Sequence, residues 1–255
     1  MEQPIQTEWV KLRSGTATPT SATIDAYLAQ PDLPPGSPPL PVIVVLQEIF
    51  GVNPHIRDVT DRIAREGYIA IAPALYHRQI PGFECGYDDD GFAEGRQYKN
   101  NTRAVELLQD IQAAMDYGRS LPQAQAGHCG CIGFCFGGHV AYLAATLPDV
   151  AATAVFYGAG ITTFCPGESG VTLDRTAAIH GTLYGFFGTA DPLIPLDHVD
   201  TMEQVLLAQG INHKIFRYPQ ADHGFFCDRR ASFEPNAAAD AWEHAKELFG
   251  GLGDR

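Results

Sequence analysis

Residues 41–47, PVIVVLQ, form an uninterrupted apolar run that is rich in β-branched residues and has no polar alternation. Such a run is typical of a parallel strand that is buried on both faces of a sheet. Downstream, strand-like runs alternate with helical patterns, which predicts an α/β fold: a doubly wound, mostly parallel sheet with helices on both faces. Strands are predicted at 41–47, 68–73, 128–134, 151–157, 181–188 and 212–218, and helices at 54–66, 98–118, 137–147, 197–209 and 235–249.

The N-terminal segments have a different pattern. Residues 8–15 and 21–30 alternate apolar with polar residues around a Thr/Pro-rich stretch, which predicts a half-exposed antiparallel hairpin at a sheet edge. The Pro-rich residues 31–41 are interpreted as a loop, since the roughly thirty residues before them are too few for an independent domain. We therefore expect the 255 residues, 1–255, to form a single domain.

Composition restricts the partners that we expect. Seventeen Lys and Arg residues against 30 Asp and Glu residues give a net charge of −13, a field that repels nucleic acid and anionic lipid. The first residues have neither a basic nor an apolar signal region, and no apolar stretch approaches the ~18 residues of a membrane span. We expect a cytoplasmic protein with no nucleic-acid or membrane partner, either a monomer or a small homo-oligomer.

The six cysteines form neither a CxxC motif nor a zinc-binding spacing, which favours reduced thiols. No HExxH motif and no local His/Cys cluster is present. We therefore expect no metal and no cofactor.

The candidate nucleophile lies in the sequence Gly133-Phe134-Cys135-Phe136-Gly137, between a predicted strand and a predicted helix. This is the G-x-S-x-G nucleophile elbow with Cys in place of Ser. Small residues on both sides allow the tight turn that exposes the central side chain. The following helix N-terminus favours a thiolate at Cys135, and the N–H of Phe136 can donate to a developing oxyanion. A buried structural cysteine is the alternative interpretation, and we favour it for Cys129 and Cys131.

The predicted partners of Cys135 follow the next strands in the order acid, then His. Asp191 lies in the loop after strand 181–188, where a carboxylate that orients an imidazole is expected. Asp197 and Asp200 are rival candidates, although Asp197 resembles a residue of a helix first turn. His223 is in the loop after strand 212–218 and is the one histidine of nine with such a position.

These motifs resemble those of the dienelactone hydrolase family of α/β-hydrolases over roughly residues 25–250. The resemblance implies an ester or lactone hydrolase, a carboxymethylenebutenolidase-like enzyme that acts through a Cys thioester on a small-molecule substrate. The matching segments, in family order and spacing, are LQEIFGVNPHIRDVTDRIAREGYIAIAPALYHR (46–78), GFCFGG (133–138), FYG (156–158), GTADPLIP (188–195) and ADHGF (221–225).

The resemblance also implies roles for individual residues. It implies a Cys135, Asp191, His223 triad and an oxyanion hole formed by the backbone N–H groups of Ile49 and Phe136. Glu48 is implied to contact the thiol and to help deprotonate it when the substrate arrives. For the substrate, the resemblance implies that Arg78 holds a carboxylate and that Tyr157 lies at the binding site.

Two positions depart from the family pattern. A second substrate-binding Arg is expected four residues after the catalytic His, where this chain has Cys227, with Arg229 and Arg230 slightly beyond. The family has Ser directly after that His, and this chain has Gly224. These departures affect the expected substrate and not the reaction class.

Several alternatives remain at this stage. A general small-ester carboxylesterase or thioesterase retains the same machinery, and a non-catalytic thiol sensor or binding protein needs no oriented acid/base pair. A glutamine amidotransferase would place Glu two residues after His, where this chain has Phe225.

Overall fold

The structure, a computed structural model, describes residues 3–15 and 22–253. Its eight strands form one sheet in the order β1-β2-β4-β3-β5-β6-β7-β8. The strands are β1 (Ile5–Ser14), β2 (Ala22–Pro31), β3 (Val42–Leu46), β4 (Ile69–Pro73), β5 (Cys129–Phe134), β6 (Val150–Phe156), β7 (Thr182–Gly188) and β8 (His213–Tyr218).

The strand directions confirm the predicted sheet. β1 and β2 are antiparallel, β2 is antiparallel to β4, and the remaining neighbours are parallel. β1 is the edge strand, as the alternating pattern of residues 8–15 predicts, and part of the Thr/Pro-rich stretch, 16–21, lies outside the described residues. All five residues of β3 are buried, which explains the absence of polar alternation in its sequence.

Helices cover both faces of the sheet. A Cβ on Gly130 of β5 would contact Phe249, whereas a Cβ on Gly118 would contact Val42 of β3. Ile43 pairs with Gly130, so Val42 and Gly130 project to opposite faces. The helices that carry Phe249 and Gly118 therefore lie on opposite faces. The helices are α1 (Pro54–Arg65), α2 (Asp89–Asn100), α3 (Ala104–Arg119), α4 (Phe136–Ala144), α5 (Leu196–Ala208) and α6 (Pro235–Gly250), with a 3-10 helix at Thr172–Ala178.

The single helix predicted at 98–118 is wrong at its N-terminal end. The chain forms two helices here, because Asn101 ends α2 and Thr102 bonds back to the carbonyl of Lys99 through both its N–H and its hydroxyl. α2 itself was not predicted, nor was the 3-10 helix. Two glycines within α2, Gly91 and Gly95, weaken its helical pattern.

Among the described residues, no helix is long and apolar enough to cross a lipid bilayer.

Candidate active site

The candidate catalytic residues gather at the carboxyl edge of the parallel sheet. Glu48 follows β3, Cys135 follows β5, Asp191 follows β7 and His223 follows β8. The carboxyl ends of parallel strands meet at one edge, so these four positions converge although they span 175 residues from Glu48 to His223.

Cys135 lies on a strained turn between β5 and α4. Its φ is +56°, a left-handed backbone conformation that side-chain-bearing residues rarely adopt. A Cβ on Gly133 would lie 1.9 Å from the carbonyl oxygen of Gly137, and a Cβ on Gly137 would lie 2.1 Å from that of Leu46. Both elbow glycines are therefore required by close backbone approach, as the sequence motif predicts.

The Cys135 thiol adjoins a cavity of about 80 Å³. Ile49 and Phe136, whose N–H groups are the candidate oxyanion donors, contribute to its wall. Phe136 is the first residue of α4, so its N–H has no acceptor within the helix. The wall consists of Ile49, Phe50, Phe92, Arg96, Lys99, Cys135, Phe136, Ala159, Leu193, His223 and Arg230.

His223 is held by Asp191. Nδ1 of His223 lies 2.8 Å from Oδ2 of Asp191, and the other carboxylate oxygen of Asp191 accepts the N–H of Leu193 at 2.8 Å. The rival acids are occupied elsewhere: Asp200 pairs with Arg217 at 2.6 Å, and Asp197 accepts the N–H of the next residue in its own helix.

The electrostatic surroundings of His223 favour its protonated form. Burial alone would lower its pKa, but the charge of Cys135 and the hydrogen bond to Asp191 raise the pKa to about 10. Nε2 has no hydrogen-bond partner of normal geometry among the described residues, although Cys135 is close enough to influence it. This nitrogen is therefore available to exchange a proton in the cavity.

Glu48 and Arg230 form a buried ion pair beside the cavity. Oε1 of Glu48 lies 3.2 Å from Nη1 of Arg230, and the two side chains are 0% and 12% exposed. Burial raises the pKa of Glu48, and the charge of Arg230 opposes this shift. Oε2 of Glu48 has no hydrogen-bond partner among the described residues. One carboxylate oxygen is therefore held by Arg230, and the Tyr87 hydroxyl is close enough to the carboxylate to favour its charged form, although not at normal hydrogen-bond geometry.

Tyr157 lies next to His223, with a ring-centroid separation of 5.2 Å in an edge-to-face arrangement. It is completely buried, and its hydroxyl has no partner among the described residues. Its φ of +36° directs the chain from β6 into the loop that follows. Tyr157 therefore supports the imidazole and is not part of the cavity wall.

The structure does not bring Arg78 to the cavity. Its Nη2 lies 2.7 Å from both Oδ1 of Asp110 in α3 and Oγ of Ser14 in β1. Arg78 therefore connects the edge strand to a helix and is not available at the cavity wall. In residues 224–230, where the chain departs from the family pattern, Arg230 is the cation that contributes to the cavity wall.

Two further cations at the cavity were missed by the sequence analysis. Arg96 and Lys99 are on α2, which crosses the cavity because Gly95 packs against the backbone of Ile49, where a Cβ would lie 2.4 Å from the carbonyl oxygen. Lys99 Nζ lies 4.7 Å from the centre of the Phe164 ring. Burial lowers the pKa of Lys99, and the nearby charge of Cys135 opposes this shift.

A second group of polar residues lies behind the cavity. One ligand atom from each of Glu48, His55 and Cys227 lies within 4.8 Å of the other two, and all three residues are buried. His55 and Cys227 are 172 residues apart, so no local spacing in the sequence indicates this group.

Comparison with known proteins agrees with this architecture. Residues 24–252 match the family described as "Dienelactone hydrolase family". A Synechocystis sp. protein named "Putative carboxymethylenebutenolidase" is 54% identical over 89% of this chain and 91% of its own length. A Yersinia pestis protein of the same name is 34% identical over 96% of this chain and 90% of its own length.

Solved structures give the same result. The crystal structure titled as a "Putative Dienelactone Hydrolase" from Klebsiella pneumoniae subsp. pneumoniae has a TM-score of 0.83 and 31% identity, covering 96% of this chain and 99% of that one. A "Dienelactone Hydrolase-like Promiscuous" phosphotriesterase from metagenomic libraries has a TM-score of 0.78 over 96% of this chain and 98% of its own, but at 20% identity it supports only the fold. The chain belongs to the dienelactone hydrolase family and is a carboxylic ester hydrolase with the α/β-hydrolase fold.

Proposed function

We propose that the protein hydrolyses small activated esters or enol lactones through a thioester on Cys135. The observation that carries this proposal is the position of Cys135: a strained elbow at a helix N-terminus, facing a cavity that also contains the imidazole bonded to Asp191. Each of these features activates a thiol nucleophile, and together they match the requirements of covalent acyl transfer.

In the acylation step, the thiol of Cys135 transfers its proton to Nε2 of His223, and the sulfur attacks the carbonyl carbon of the ester. The carbonyl oxygen becomes an oxyanion, which the N–H groups of Ile49 and Phe136 stabilise. The tetrahedral intermediate expels the alcohol or enol oxygen, and His223 supplies the proton that the leaving group takes. For a lactone, the leaving group stays attached through the ring carbon chain.

In the deacylation step, His223 takes a proton from water, and the resulting hydroxide attacks the thioester carbonyl. Expulsion of the sulfur releases the carboxylic acid and restores Cys135. Asp191 holds the imidazole with Nε2 towards the cavity throughout both steps, since its Oδ2 is bonded to Nδ1.

Glu48 has a supporting role in thiol activation. Its Oε1 is bound by Arg230 and its Oε2 has no partner among the described residues. An anionic substrate that attracts Arg230 weakens this ion pair, and burial then increases the affinity of Glu48 for a proton. Glu48 thereby becomes a second proton acceptor, beside His223, for the Cys135 thiol when such a substrate is present.

The cavity favours substrates that carry a carboxylate. Arg96, Lys99 and Arg230 contribute to its wall, and none of the described acidic residues does. Of these cations, Arg230 is paired with Glu48, whereas the described residues contain no ion pair to Arg96 or Lys99. A charge-assisted hydrogen bond contributes about 1.5–3 kcal/mol, and the repulsion from the net charge of −13 is screened beyond ~8–10 Å at physiological salt.

The proposal is tested by trapping the acyl-enzyme. Rapid mixing with p-nitrophenyl acetate should give a burst of about one nitrophenolate per chain, and mass spectrometry of the quenched protein should locate the acetyl group on Cys135. Cys135→Ala should abolish burst and turnover. Cys85→Ala is the matched control, because the Cys85 thiol lies outside the cavity wall and should leave both unchanged. Turnover by Cys135→Ala at the wild-type rate would contradict the proposal.

A further inference from the structure

Glu48, which the proposed mechanism uses, lies in a buried cluster with His55 and Cys227, two residues to which the mechanism gives no role. One carboxylate oxygen, one imidazole nitrogen and the thiol sulfur lie within 4.8 Å of one another. Their relative exposures are 0% for Glu48, 1% for His55 and 0% for Cys227. The three side chains come from the loop after β3, from α1 and from the segment after His223, so the tertiary fold alone brings them together.

The cluster contains unsatisfied polar atoms. Neither ring nitrogen of His55 has a hydrogen-bond partner among the described residues, and Oε2 of Glu48 is equally without one. Leaving such groups unpaired in the interior costs about 1–3 kcal/mol each.

We propose that Glu48, His55 and Cys227 form a binding site for a divalent cation with the ligand preferences of Zn²⁺. Carboxylate oxygen, neutral imidazole and thiolate are the ligands that Zn²⁺ takes in proteins. Metal–ligand bonds of about 2.0–2.3 Å in tetrahedral geometry place ligand atoms roughly 3.3–3.8 Å apart. The cluster reaches this spacing when its atoms approach one another by about 1 Å. Tetrahedral coordination also needs a fourth ligand, which these three side chains do not supply.

Binding of the metal ion releases one proton from the site. Thiolate is the form of cysteine that binds a metal, so the metal displaces the proton of the Cys227 thiol, a metal–sulfur bond replaces the S–H bond, and the proton passes to solvent. The Cys227 thiol donates to the hydroxyl of Tyr87 at 3.3 Å, and that hydroxyl also accepts a hydrogen bond from Asn53. When the sulfur is deprotonated, the Tyr87 hydroxyl can rotate and donate to it.

Occupancy of this site has a consequence for catalysis, which rests on the proposed function. A cation bound to the Glu48 carboxylate, whose Oε1 also accepts a hydrogen bond from Arg230, makes this carboxylate a poorer acceptor for the thiol proton. Cation binding therefore inhibits hydrolysis reversibly. This proposal departs from the expectation of no metal site that local sequence motifs supported.

The test measures binding in Cys135→Ala protein, which removes the catalytic thiol as a competing ligand and makes the result independent of hydrolysis. Titration with Co²⁺ should give one equivalent of a species with intense visible bands of four-coordinate cobalt and a near-ultraviolet thiolate charge-transfer band. Calorimetry in buffers of different ionisation enthalpy should show release of about one proton. Absence of the charge-transfer band would overturn the proposal.

Variants then locate the site. Adding Cys227→Ser to the Cys135→Ala background should abolish the charge-transfer band, and adding His55→Gln should weaken Co²⁺ binding by about tenfold or more. Adding Cys85→Ser, which changes a thiol outside the cluster, should leave the spectrum unchanged. A band that survives Cys227→Ser, with folding verified by circular dichroism, assigns the metal elsewhere and overturns the proposal.

The inhibitory consequence is measured separately, in otherwise wild-type protein. Half-inhibition by Zn²⁺ of the hydrolysis of a carboxylate-bearing ester, the substrate for which Glu48 accepts the thiol proton, should need about tenfold more metal in Cys227→Ser than in wild type, with activity restored by EDTA. Equal sensitivity of the two proteins would overturn the inhibitory role.

Discussion

Nη1 of Arg230 lies 3.2 Å from Oε1 of Glu48, although 182 residues separate the two in the chain. The guanidinium reaches this position by passing over Gly224, where a Cβ would lie 2.3 Å from Nη1. The two departures from the family pattern are thus physically linked. The family pattern places Arg at position 227 and Ser at position 224. With Gly at position 224, Arg230, three residues beyond position 227, can reach the cavity.

The first prediction concerns Gly224. Gly224→Ala should displace Arg230 and raise KM for a carboxylate-bearing ester, while the strained φ of +83° also lowers stability by about 1 kcal/mol or more. Gly210→Ala is the matched control, because Gly210 has a φ of +69° but no atom within 4 Å of the added Cβ. Both variants should melt at lower temperature, and KM should rise in Gly224→Ala alone. If KM for the carboxylate-bearing ester changes equally in the two variants, the position of Arg230 does not affect substrate binding.

The second prediction concerns the cations of α2. Lys99→Met and Arg96→Met should each raise KM for a carboxylate-bearing ester by about tenfold, since each removes a charge-assisted contact of about 1.5–3 kcal/mol. Hydrolysis of the neutral counterpart should change little. Lys99→Arg retains the charge and should stay close to wild type. If steady-state kinetics show both substrates slowed equally, these cations have a structural role.

The third prediction concerns the acid. Asp191→Asn should lower kcat/KM by about 10²–10⁴-fold, because the amide can no longer hold His223 in the tautomer with Nε2 as a base. Asp197→Asn should retain wild-type kinetics, since Asp197 accepts a hydrogen bond within its own helix turn. Combining Asp191→Asn with Cys135→Ser should give less than the product of the separate effects, as members of one catalytic unit do.

The fourth prediction concerns pH. The pKa of His223 is about 10 in the folded protein, above the value of ~6.5 in an unfolded chain. Protonated His223 therefore contributes stability that is fully present below pH ~6.5 and is lost as pH rises through about 10. NMR of the imidazole should give a midpoint near the upper value in wild type. Cys135→Ala should lower this midpoint, because the charge of Cys135 is the largest of the causes that raise it.

The central part of the fold was predictable because it depends on local patterns. The uninterrupted apolar run of β3 predicts a strand buried on both faces, and the glycines around Cys135 predict a tight strand-to-helix turn. Because Asp191 and His223 each follow a strand, topology alone predicted that they would meet. Their bond of 2.8 Å is the outcome of that topology.

The rest depends on contacts between distant segments. The glycines of α2 reduce its helix propensity, yet Gly95 is needed for close contact with Ile49, so local propensity and tertiary packing conflict there. For the same reason the orientation of Lys99 towards the cavity could not be predicted. The position of Arg78 depends on Asp110, whose buried carboxylate gives no signal in the spacing of the sequence.

The last prediction concerns Arg78 itself. Burial raises the pKa of Asp110, and the hydrogen bonds from Arg78 and Ser14 oppose this shift, so the carboxylate depends on the guanidinium. Arg78→Met should therefore lower the free energy of unfolding by about 3–5 kcal/mol, the usual effect of leaving one partner of a buried pair uncompensated. Arg78→Met/Asp110→Asn should recover most of this loss, since it removes both charges together. Urea denaturation measures both effects, and the ratio of kcat/KM for anionic and neutral esters should stay unchanged in the double variant. A selective loss of the anionic substrate there would instead return Arg78 to the role of carboxylate ligand.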